Sequence, residues 1–207
     1  MSFSDVIPRT RKKRGEGASR RGEILAEASR IFLEEGVAGA TMRRIAAAVG
    51  VSPTALYVYF PDKPAILQAI AAATFADLLA SLHASQQSGG SAEDRLRASM
   101  RAYVDFGVDH PDAYRLTFLS DASNLPETPC KVDDADAAFG FLVSGVEEMM
   151  RAGLFAPSPA METAEIIWAA LHGVTSLLLN QTEHLASGRE QLTRRVIDLV
   201  IVGLRPN

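Results

Sequence analysis

The stretch Thr41–Phe60, with the sequence TMRRIAAAVGVSPTALYVYF, constrains the fold of this 207-residue chain more than any other. Two short helices that cross at a steep angle need a small residue at the crossing and, four positions later, a turn residue that tolerates positive φ. Ala46 and Gly50 stand at these positions. Buried aliphatic residues must flank them, and the flanking positions hold Ile45, Val49, Val51 and Leu56. The spacing predicts a helix-turn-helix whose two helices are capped by Thr41 and Ser52.

The outward face of the second helix carries hydroxyls, an aromatic pair and a compact proline. These residues are Ser52, Pro53, Thr54, Tyr57 and Tyr59. Such groups suit phosphates and thymine methyls in a DNA major groove. The alternative is a helical hairpin in an ordinary bundle, but the basic residues upstream favour DNA.

The net charge of −4 is unevenly distributed along the chain. Residues 1–60 hold ten Lys or Arg against six Asp or Glu, a balance of +4. Residues 61–207 hold eleven against nineteen, a balance of −8. A basic end on an acidic body is expected when one end of a protein meets a polyanion and the other does something else.

Apolar residues recur at helical spacing from Ser19 onward, and no long segment alternates as a strand does. We therefore predict an all-α fold of about nine helices. Residues 1–18 are expected to be a disordered basic tail, residues 19–63 a three-helix DNA-binding domain, and residues 64–207 a second helical domain. Helix breaks and caps are predicted at Gly36, Gly50, Asp62, Ser91, Pro111, Gly153, Pro159 and Gly188. Residues 120–132 are predicted to form a loop.

Composition excludes several other classes of protein. The single cysteine, Cys130, excludes a disulfide framework and a Cys-rich zinc module. The longest runs free of charged residues, 45–61 and 166–182, are interrupted by turn or polar residues, and the N-terminus lacks the apolar stretch of a secretory signal. We expect a soluble, cytoplasmic protein without a membrane span.

No catalytic or metal-binding constellation is recognisable. Asp105, Asp109, His110 and Asp112 could be imagined as metal ligands, but a solvated helix terminus explains them better. Nothing in the sequence assembles a nucleophile, a base and an orienting group, so we expect neither an enzyme nor a cofactor.

The residues from Ile24 to Leu67 strongly resemble the DNA-binding domain of TetR-type transcriptional regulators. The pattern T-x-x-x-I-A-x-x-x-G-V-S-x-x-x-L-Y-x-Y-F-x-x-K, starting at Thr41, is close to unbroken. One departure is Pro64, where the family more often has an acidic residue; proline is acceptable in the first turn of a helix. The resemblance implies a fourth, linking helix and an all-α body, here residues 64–207, that binds a ligand and forms a homodimer.

The resemblance also implies roles in DNA binding. Thr41 and Lys63 match phosphate anchors, and Tyr57 and Tyr59 match aromatic residues that touch the DNA backbone and pack the recognition helix. Base-facing positions hold Ser52, Pro53 and Thr54. Arg44 could reach a phosphate or a base, or could be a solvated surface arginine. The tail residues could enter a minor groove, as basic arms of several family members do, or remain unbound; they are Arg9, Arg11, Lys12, Lys13 and Arg14.

The segment Ile166–Val174 resembles the W-x-x-x-H-G signature of a C-terminal domain found in one TetR subgroup. Its Trp168 and His172 share a helical face, and Gly173 is expected to let another helix approach closely. His172 is interpreted as a hydrogen-bonded core histidine in preference to a ligand contact. The segment His110–Arg115 is also similar to that subgroup.

The family places its effector pocket in the C-terminal body, beside the end of the linking helix. The residues expected there are Leu78, Leu82, Tyr103, Tyr114, Phe118, Phe139, Leu142, Trp168 and His172. They are mostly apolar and no buried Arg or Lys cluster accompanies them, so we expect a small, hydrophobic, uncharged or weakly charged effector.

The last two long helices carry more apolar surface than one subunit can cover. They are expected to form an isologous four-helix dimer interface that includes Leu171, Leu178, Leu192, Val196 and Leu199. The sequence as a whole predicts a homodimeric repressor that an effector releases from a palindromic operator. The alternative is a helical small-molecule-binding protein without operator binding, but it would need a degraded second helix, and Thr54, Tyr57 and Tyr59 are all present.

Overall fold

The structure, a computed structural model, describes residues 16–119, 133–180 and 185–206. Over these ranges it contains nine α-helices and no strand, which confirms the all-α prediction. The helices are α1 (Glu16–Gly39), α2 (Met42–Val49), α3 (Pro53–Tyr59), α4 (Lys63–Ser85), α5 (Ala92–Asp109), α6 (Pro111–Tyr114), α7 (Asp133–Arg151), α8 (Ala160–Asn180) and α9 (Arg189–Gly203). A π-helical turn, Arg115–Leu119, continues α6. The basic cluster of the tail and the loop predicted at 120–132 lie outside the described residues, and α1 begins three residues before Ser19.

Local capping explains where several helices begin and end. Asp62 Oδ1 accepts a hydrogen bond of 2.8 Å from the backbone N–H of Ala65, at the start of α4. Ser91 and Asp94 form a reciprocal capping box at the start of α5. Gly36, with φ of 71° and ψ of 155°, interrupts the helical backbone near the end of α1. These sites are confirmed as predicted, because caps and breaks depend on residues close in sequence.

The chain divides into two compact units, Met1–Ile66 and Leu67–Asn207. The division falls within the first turn of α4, three residues after the boundary expected between 63 and 64. The first unit is built on buried apolar side chains of α1, α2 and α3, among them Ile24, Ala28, Ile31, Phe32, Ile45, Ala46 and Leu56. The second unit has its own core, formed by the later part of α4 and by α5 to α9.

A glycine in α5 allows close packing in the second unit. A Cβ at Gly107 would overlap the Thr175 side chain of α8 and would lie 2.9 Å from Cδ2 of Tyr114. A Cβ at Gly173 would meet no atom within 4 Å, so the close approach expected at Gly173 is not made within the subunit. The close approach therefore depends on a small residue of α5 and not of α8.

The start of α9 is tied to α5 by ion pairs. The Arg189 guanidinium lies 2.8 Å from Asp105 and 2.9 Å from Asp109. Two of the acidic residues considered as metal ligands therefore pair with an arginine, while their side chains stay 42% and 60% exposed, as expected of a solvated helix end. Within the described ranges, no three His, Cys, Asp or Glu side chains come together in a metal-binding group.

The helix α4 is, by length and composition, apolar enough to cross a membrane, and it is the one described helix that is. A core helix of a folded protein passes the same test. The side chains that α4 buries in this fold include Ile66, Leu67, Ile70, Leu78 and Leu82. One such helix is therefore weak support for a membrane span.

Candidate nucleic-acid interface and ligand cavity

The turn between α2 and α3 has the geometry that its residues predict. Gly50 adopts a left-handed conformation with φ of 73°, and the N–H of Val51 donates to the carbonyl of Ala46 over 2.9 Å. Ala46 and Leu56 are fully buried, so the small residue and the aliphatic residue lie where the two helices pack. The predicted helix-turn-helix is present.

Both helices of this motif begin at a hydroxyl cap. Thr41 Oγ1 accepts from the N–H of Arg44, and Ser52 Oγ accepts from the N–H of Ala55, each over 3.1 Å. Each hydroxyl uses a lone pair in this way and keeps its own hydrogen available. Both caps are exposed, so either hydrogen is free to be donated to a phosphate oxygen.

The exposed face of α3 includes a residue that the sequence analysis missed. Thr54 and Tyr57 are exposed as expected, and Val58 is 81% exposed, more than any other large apolar side chain described. Val58 follows Thr54 by four positions and therefore lies on the same face of the helix. That spacing, counted from Thr54, was the signal that could have identified it. Tyr59 is half-buried.

The end of α3 is held by an arginine of α1. The Arg21 guanidinium donates to the carbonyl of Tyr59 over 3.2 Å and lies 4.2 Å from the centre of the Phe60 ring. Cation–π contact with a buried ring adds to the hydrogen bond. The orientation of α3 within its unit thus depends on a basic residue that is engaged within the protein.

Lys63 binds backbone carbonyls at the end of α1. Its Nζ donates to the carbonyls of Val37 and Ala40 over 2.8 Å each and lies 3.4 Å from that of Ala38. An ammonium group has three N–H donors, and all three face the end of α1. In this structure Lys63 therefore neutralises the carbonyl end of α1, and the phosphate contact that the family resemblance implies stays a prediction.

The two neighbouring arginines of α2 differ in their partners. Arg44 Nε lies 3.0 Å from Glu35 Oε1 in a surface ion pair. Arg43 is exposed and makes no ion pair or hydrogen bond with any residue that the structure describes. A phosphate contact through Arg44 requires the Glu35 pair to open, whereas Arg43 is already available; the sequence analysis did not single out Arg43.

The second unit contains a cavity of about 360 Å³ between its helices. Seven of the nine residues expected at an effector pocket line it: Leu78, Leu82, Tyr103, Phe118, Phe139, Leu142 and Trp168. The lining also includes Ser99 and Glu165, which the sequence analysis did not name. Glu165 precedes Trp168 by three positions on α8, and that spacing could have pointed to it. The volume suits a small organic ligand.

The two remaining expected residues, Tyr114 and His172, stand behind the cavity wall in a hydrogen-bonded chain. Trp168 Nε1 donates to the hydroxyl of Tyr103 over 3.2 Å, and the hydroxyls of Tyr103 and Tyr114 lie 3.1 Å apart. The Tyr114 hydroxyl lies 2.6 Å from Nδ1 of His172. His172 is thus hydrogen-bonded among aromatic side chains, as interpreted from the sequence.

Burial controls the protonation of this chain of groups. It raises the pKa of the Tyr103 and Tyr114 hydroxyls and lowers the pKa of the His172 imidazole. All three groups are therefore held in their neutral forms near pH 7. A neutral imidazole leaves one ring nitrogen as an acceptor for a tyrosine hydroxyl.

Large apolar side chains of α8 and α9 are exposed in the isolated subunit. They include Met161, Ile166, Leu177, Leu199 and Val202, of which Leu199 is 73% exposed. Two residues expected at a dimer interface, Leu171 and Leu178, are only 2% and 5% exposed because they pack inside the subunit's own core. Their assignment to an interface is wrong for this reason, while Leu192 and Val196 are half-buried.

Two stretches of the chain match described protein families. Residues 24–70 match bacterial regulatory proteins, tetR family, and residues 96–200 match the tetracyclin repressor-like, C-terminal domain. The transcriptional activator FasR of Mycolicibacterium smegmatis is 31% identical over 150 residues, which are 67% of this chain and 68% of that protein.

A second relative, over a shorter stretch, and a solved structure are also similar to this chain. The transcriptional repressor BepR of Brucella suis is 42% identical over 60 residues, 29% of each chain. The solved structure of a bacterial regulatory protein in the tetR family from Rhodococcus RHA1 has a TM-score of 0.73 at 23% identity. That similarity covers 91% of this chain and 98% of the other, and it shows a shared fold.

Proposed function

Because this chain belongs to the TetR family of bacterial regulatory proteins, we propose that it is a cytoplasmic repressor that a small hydrophobic effector releases from a palindromic operator. Membership makes it a transcriptional regulator, and it indicates a regulator and not an enzyme. The observation that carries the proposal is the exposed face of α3, on which Thr54, Tyr57 and Val58 lie together.

In this proposal residues 19–63 read DNA, with α3 in the major groove. The methyl groups of Val58 and the ring of Pro53 are apolar and suit contacts with thymine methyls. The hydroxyls of Ser52, Thr54 and Tyr57 suit bases or phosphate oxygens, and Tyr59 supports the helix at its end.

Phosphate contacts fix the register of the protein on the duplex but do not read its sequence. We assign them to the Thr41 hydroxyl and to Arg43, which has no protein partner among the described residues. Arg44 is a weaker candidate because it pairs with Glu35. The tail residues 9–14 are proposed to lie beside the DNA and to add affinity.

Residues 64–207 form the proposed ligand-binding and dimerisation domain. The exposed side chains of α8 and α9, Leu199 and Val202 above all, support an isologous four-helix interface between two subunits. A two-fold dimer presents two copies of α3, and this symmetry requires a palindromic operator.

The cavity in the second unit is the proposed effector pocket. Its lining resembles an apolar ligand site with few polar groups. Trp168 lines it, and the centre of the His172 ring lies 5.6 Å from that of Trp168, behind the wall. These two residues are the pair in the W-x-x-x-H-G pattern of the proposed subgroup. A ligand needs only different affinities for two conformations of the dimer to change operator binding. We propose that ligand binding changes the distance between the two α3 helices of the dimer, so that they no longer match the spacing of the operator half-sites.

Selection of bound sequences from a random DNA pool tests operator reading directly. The full chain is expected to enrich a palindrome with half-sites about one helical turn apart, or a multiple of it. A matched variant, Val58→Ala combined with Thr54→Ala, is expected to fold normally and to lose this enrichment. Failure of the unaltered chain to enrich any sequence, while it binds hydrophobic ligands, would support the binding protein without an operator.

The direction of regulation needs a separate measurement, since FasR is named an activator and BepR a repressor. Transcription from a promoter that overlaps the selected palindrome is expected to fall when the protein is added. A rise in transcription under the same conditions would replace repression by activation and leave operator binding in place.

A further inference from the structure

The described lining of the cavity carries negative charge and no positive charge. Glu165 is the one charged side chain in the described lining, and it makes no ion pair with any described residue. It is also exposed, so it lies where the cavity meets solvent. No lysine, arginine or histidine of the described part of the chain lines the cavity. An anionic ligand would meet a carboxylate there and find no counter-ion among the described lining residues.

The hydrogen-bond donors of the lining are already used within the protein. Ser99 donates its hydroxyl hydrogen to the carbonyl of Leu96 over 2.9 Å, and Trp168 donates its N–H to Tyr103. The Tyr114 hydroxyl and Nδ1 of His172 are hydrogen-bonded over 2.6 Å, and the tautomer of His172 sets the direction of this bond. In the tautomer that carries its hydrogen on Nε2, Tyr114 donates to His172, and Tyr103 donates to Tyr114.

The direction of these hydrogen bonds leaves hydrogen-bond acceptors, and no donors, facing a ligand. Tyr103 accepts from Trp168 and donates to Tyr114, so only a lone pair of its oxygen remains. The same holds for Ser99, and the Glu165 carboxylate accepts only. A ligand carbonyl or carboxylate would find no free side-chain donor in the described lining, whereas an ammonium group would find acceptors there.

The apolar part of the lining is strongly aromatic. The rings that face the cavity belong to Phe75, Tyr103, Phe118, Phe139, Phe141 and Trp168. Aromatic faces attract cations, and they also accommodate an alkyl chain by apolar contact. The rings thus favour the same ligand charge as Glu165 does.

We propose that the cavity takes a lipophilic monocation, an apolar body that carries one ammonium group, with the ammonium at Glu165. This inference rests on the proposed effector pocket and names the chemical class of its ligand. The sequence predicts an uncharged or weakly charged effector. Within that class, the cavity lining favours a molecule with one positively charged head group that donates hydrogen bonds.

Three ligands with the same chain and different heads provide the test: decylammonium, decanol and decanoate. Trp168 is the only tryptophan of the chain, so its fluorescence reports binding at the cavity. Decylammonium is expected to bind most tightly and decanoate most weakly, with at least about a fivefold difference between them. Each ligand is used below its micelle concentration.

The matched variants are Glu165→Gln and Glu162→Gln. Glu162 is exposed on the same helix and does not line the cavity. Glu165→Gln is expected to reduce the preference for decylammonium over decanol about fivefold, and Glu162→Gln to leave it unchanged. Helicity and thermal melting verify that both variants fold.

Equal or tighter binding of decanoate overturns the inference, and so does an unchanged preference in Glu165→Gln. Absence of any fluorescence response to the three ligands also overturns it. Operator binding without ligand is measured separately on the same samples. Loss of operator binding contradicts the proposed function alone, because the order of the three ligands is read from Trp168 without DNA.

Discussion

The hydroxyl of Tyr114 lies 2.6 Å from Nδ1 of His172, and this hydrogen bond links α6 to α8 behind the cavity. Burial lowers the pKa of His172, so this imidazole takes up a proton more readily in the unfolded chain than in the folded protein. The stability that neutral His172 contributes is therefore present above its ordinary pKa of about 6.5 and is lost as the pH falls from there through the lowered pKa of the folded protein.

A His172→Gln variant is accordingly expected to lose part of this pH dependence. Thermal melting at about pH 7.5 and about pH 5.5 gives the difference for each protein. The difference should be smaller in the variant than in the unaltered chain. The control, His83→Gln, removes an exposed imidazole outside the hydrogen-bonded chain. An equal difference in His172→Gln and the unaltered protein would contradict the role given to His172.

Arg43 and Arg44 are expected to respond differently to removal of their charge. Arg43→Ala should weaken binding to all DNA sequences about equally and lower the slope of binding against salt by about one unit. Arg44→Ala should have a smaller effect because Glu35 already neutralises this guanidinium. Titrations of operator DNA at several salt concentrations measure both slopes, and a larger loss for Arg44 would reverse the assignment.

Replacement of Lys63 is expected to destabilise the first unit. In Lys63→Ala the partly buried carbonyls of Val37 and Ala40 lose their donor, and the free energy of unfolding should fall by about 1–3 kcal/mol. Denaturant unfolding followed by circular dichroism measures this loss. Arg43→Ala serves as the control, since its side chain is exposed. If Lys63→Ala leaves the free energy of unfolding unchanged but lowers the slope of DNA binding against salt, Lys63 is a phosphate contact.

A carboxylate on the exposed face of α9 is expected to give monomers. Leu199 is largely exposed in the subunit, so Leu199→Glu should leave the subunit folded while it destabilises the interface. Analytical ultracentrifugation gives the mass, and operator binding should fall with the loss of the dimer. Ala152→Glu places the same charge on an exposed residue outside α8 and α9. A dimer that survives in Leu199→Glu would place the interface elsewhere.

Filling the cavity is expected to abolish the response to ligand without affecting DNA. Leu142 is half-buried in the cavity wall, and Leu142→Trp reduces the space available to a ligand. We expect decylammonium to release the operator from the unaltered protein. Leu142→Trp should still bind the operator, and decylammonium should no longer release it. Ser144→Trp, on the exposed side of the same helix, is the control. An unchanged ligand response in Leu142→Trp would show that the effector binds outside this cavity.

Much of the fold follows from the sequence because it depends on near neighbours. The hydroxyls of Thr41 and Ser52 accept from the backbone N–H groups three residues later in the chain. Glycine at position 50 adopts the left-handed conformation of the turn without the strain that a side chain would cause. These features require no knowledge of the rest of the chain. Helical periodicity likewise predicted that residues such as Leu171 and Leu178 lie on apolar faces.

Periodicity does not show which surface covers an apolar face, and only the tertiary structure decided this. Leu171 and Leu178 are covered by their own subunit, while Leu199 of α9 is exposed. Long-range polar contacts are equally invisible in the sequence: the partners of Lys63 lie 23 to 26 residues earlier. Hydrogen bonds and burial depend on distances in space, which the local pattern of residues does not contain.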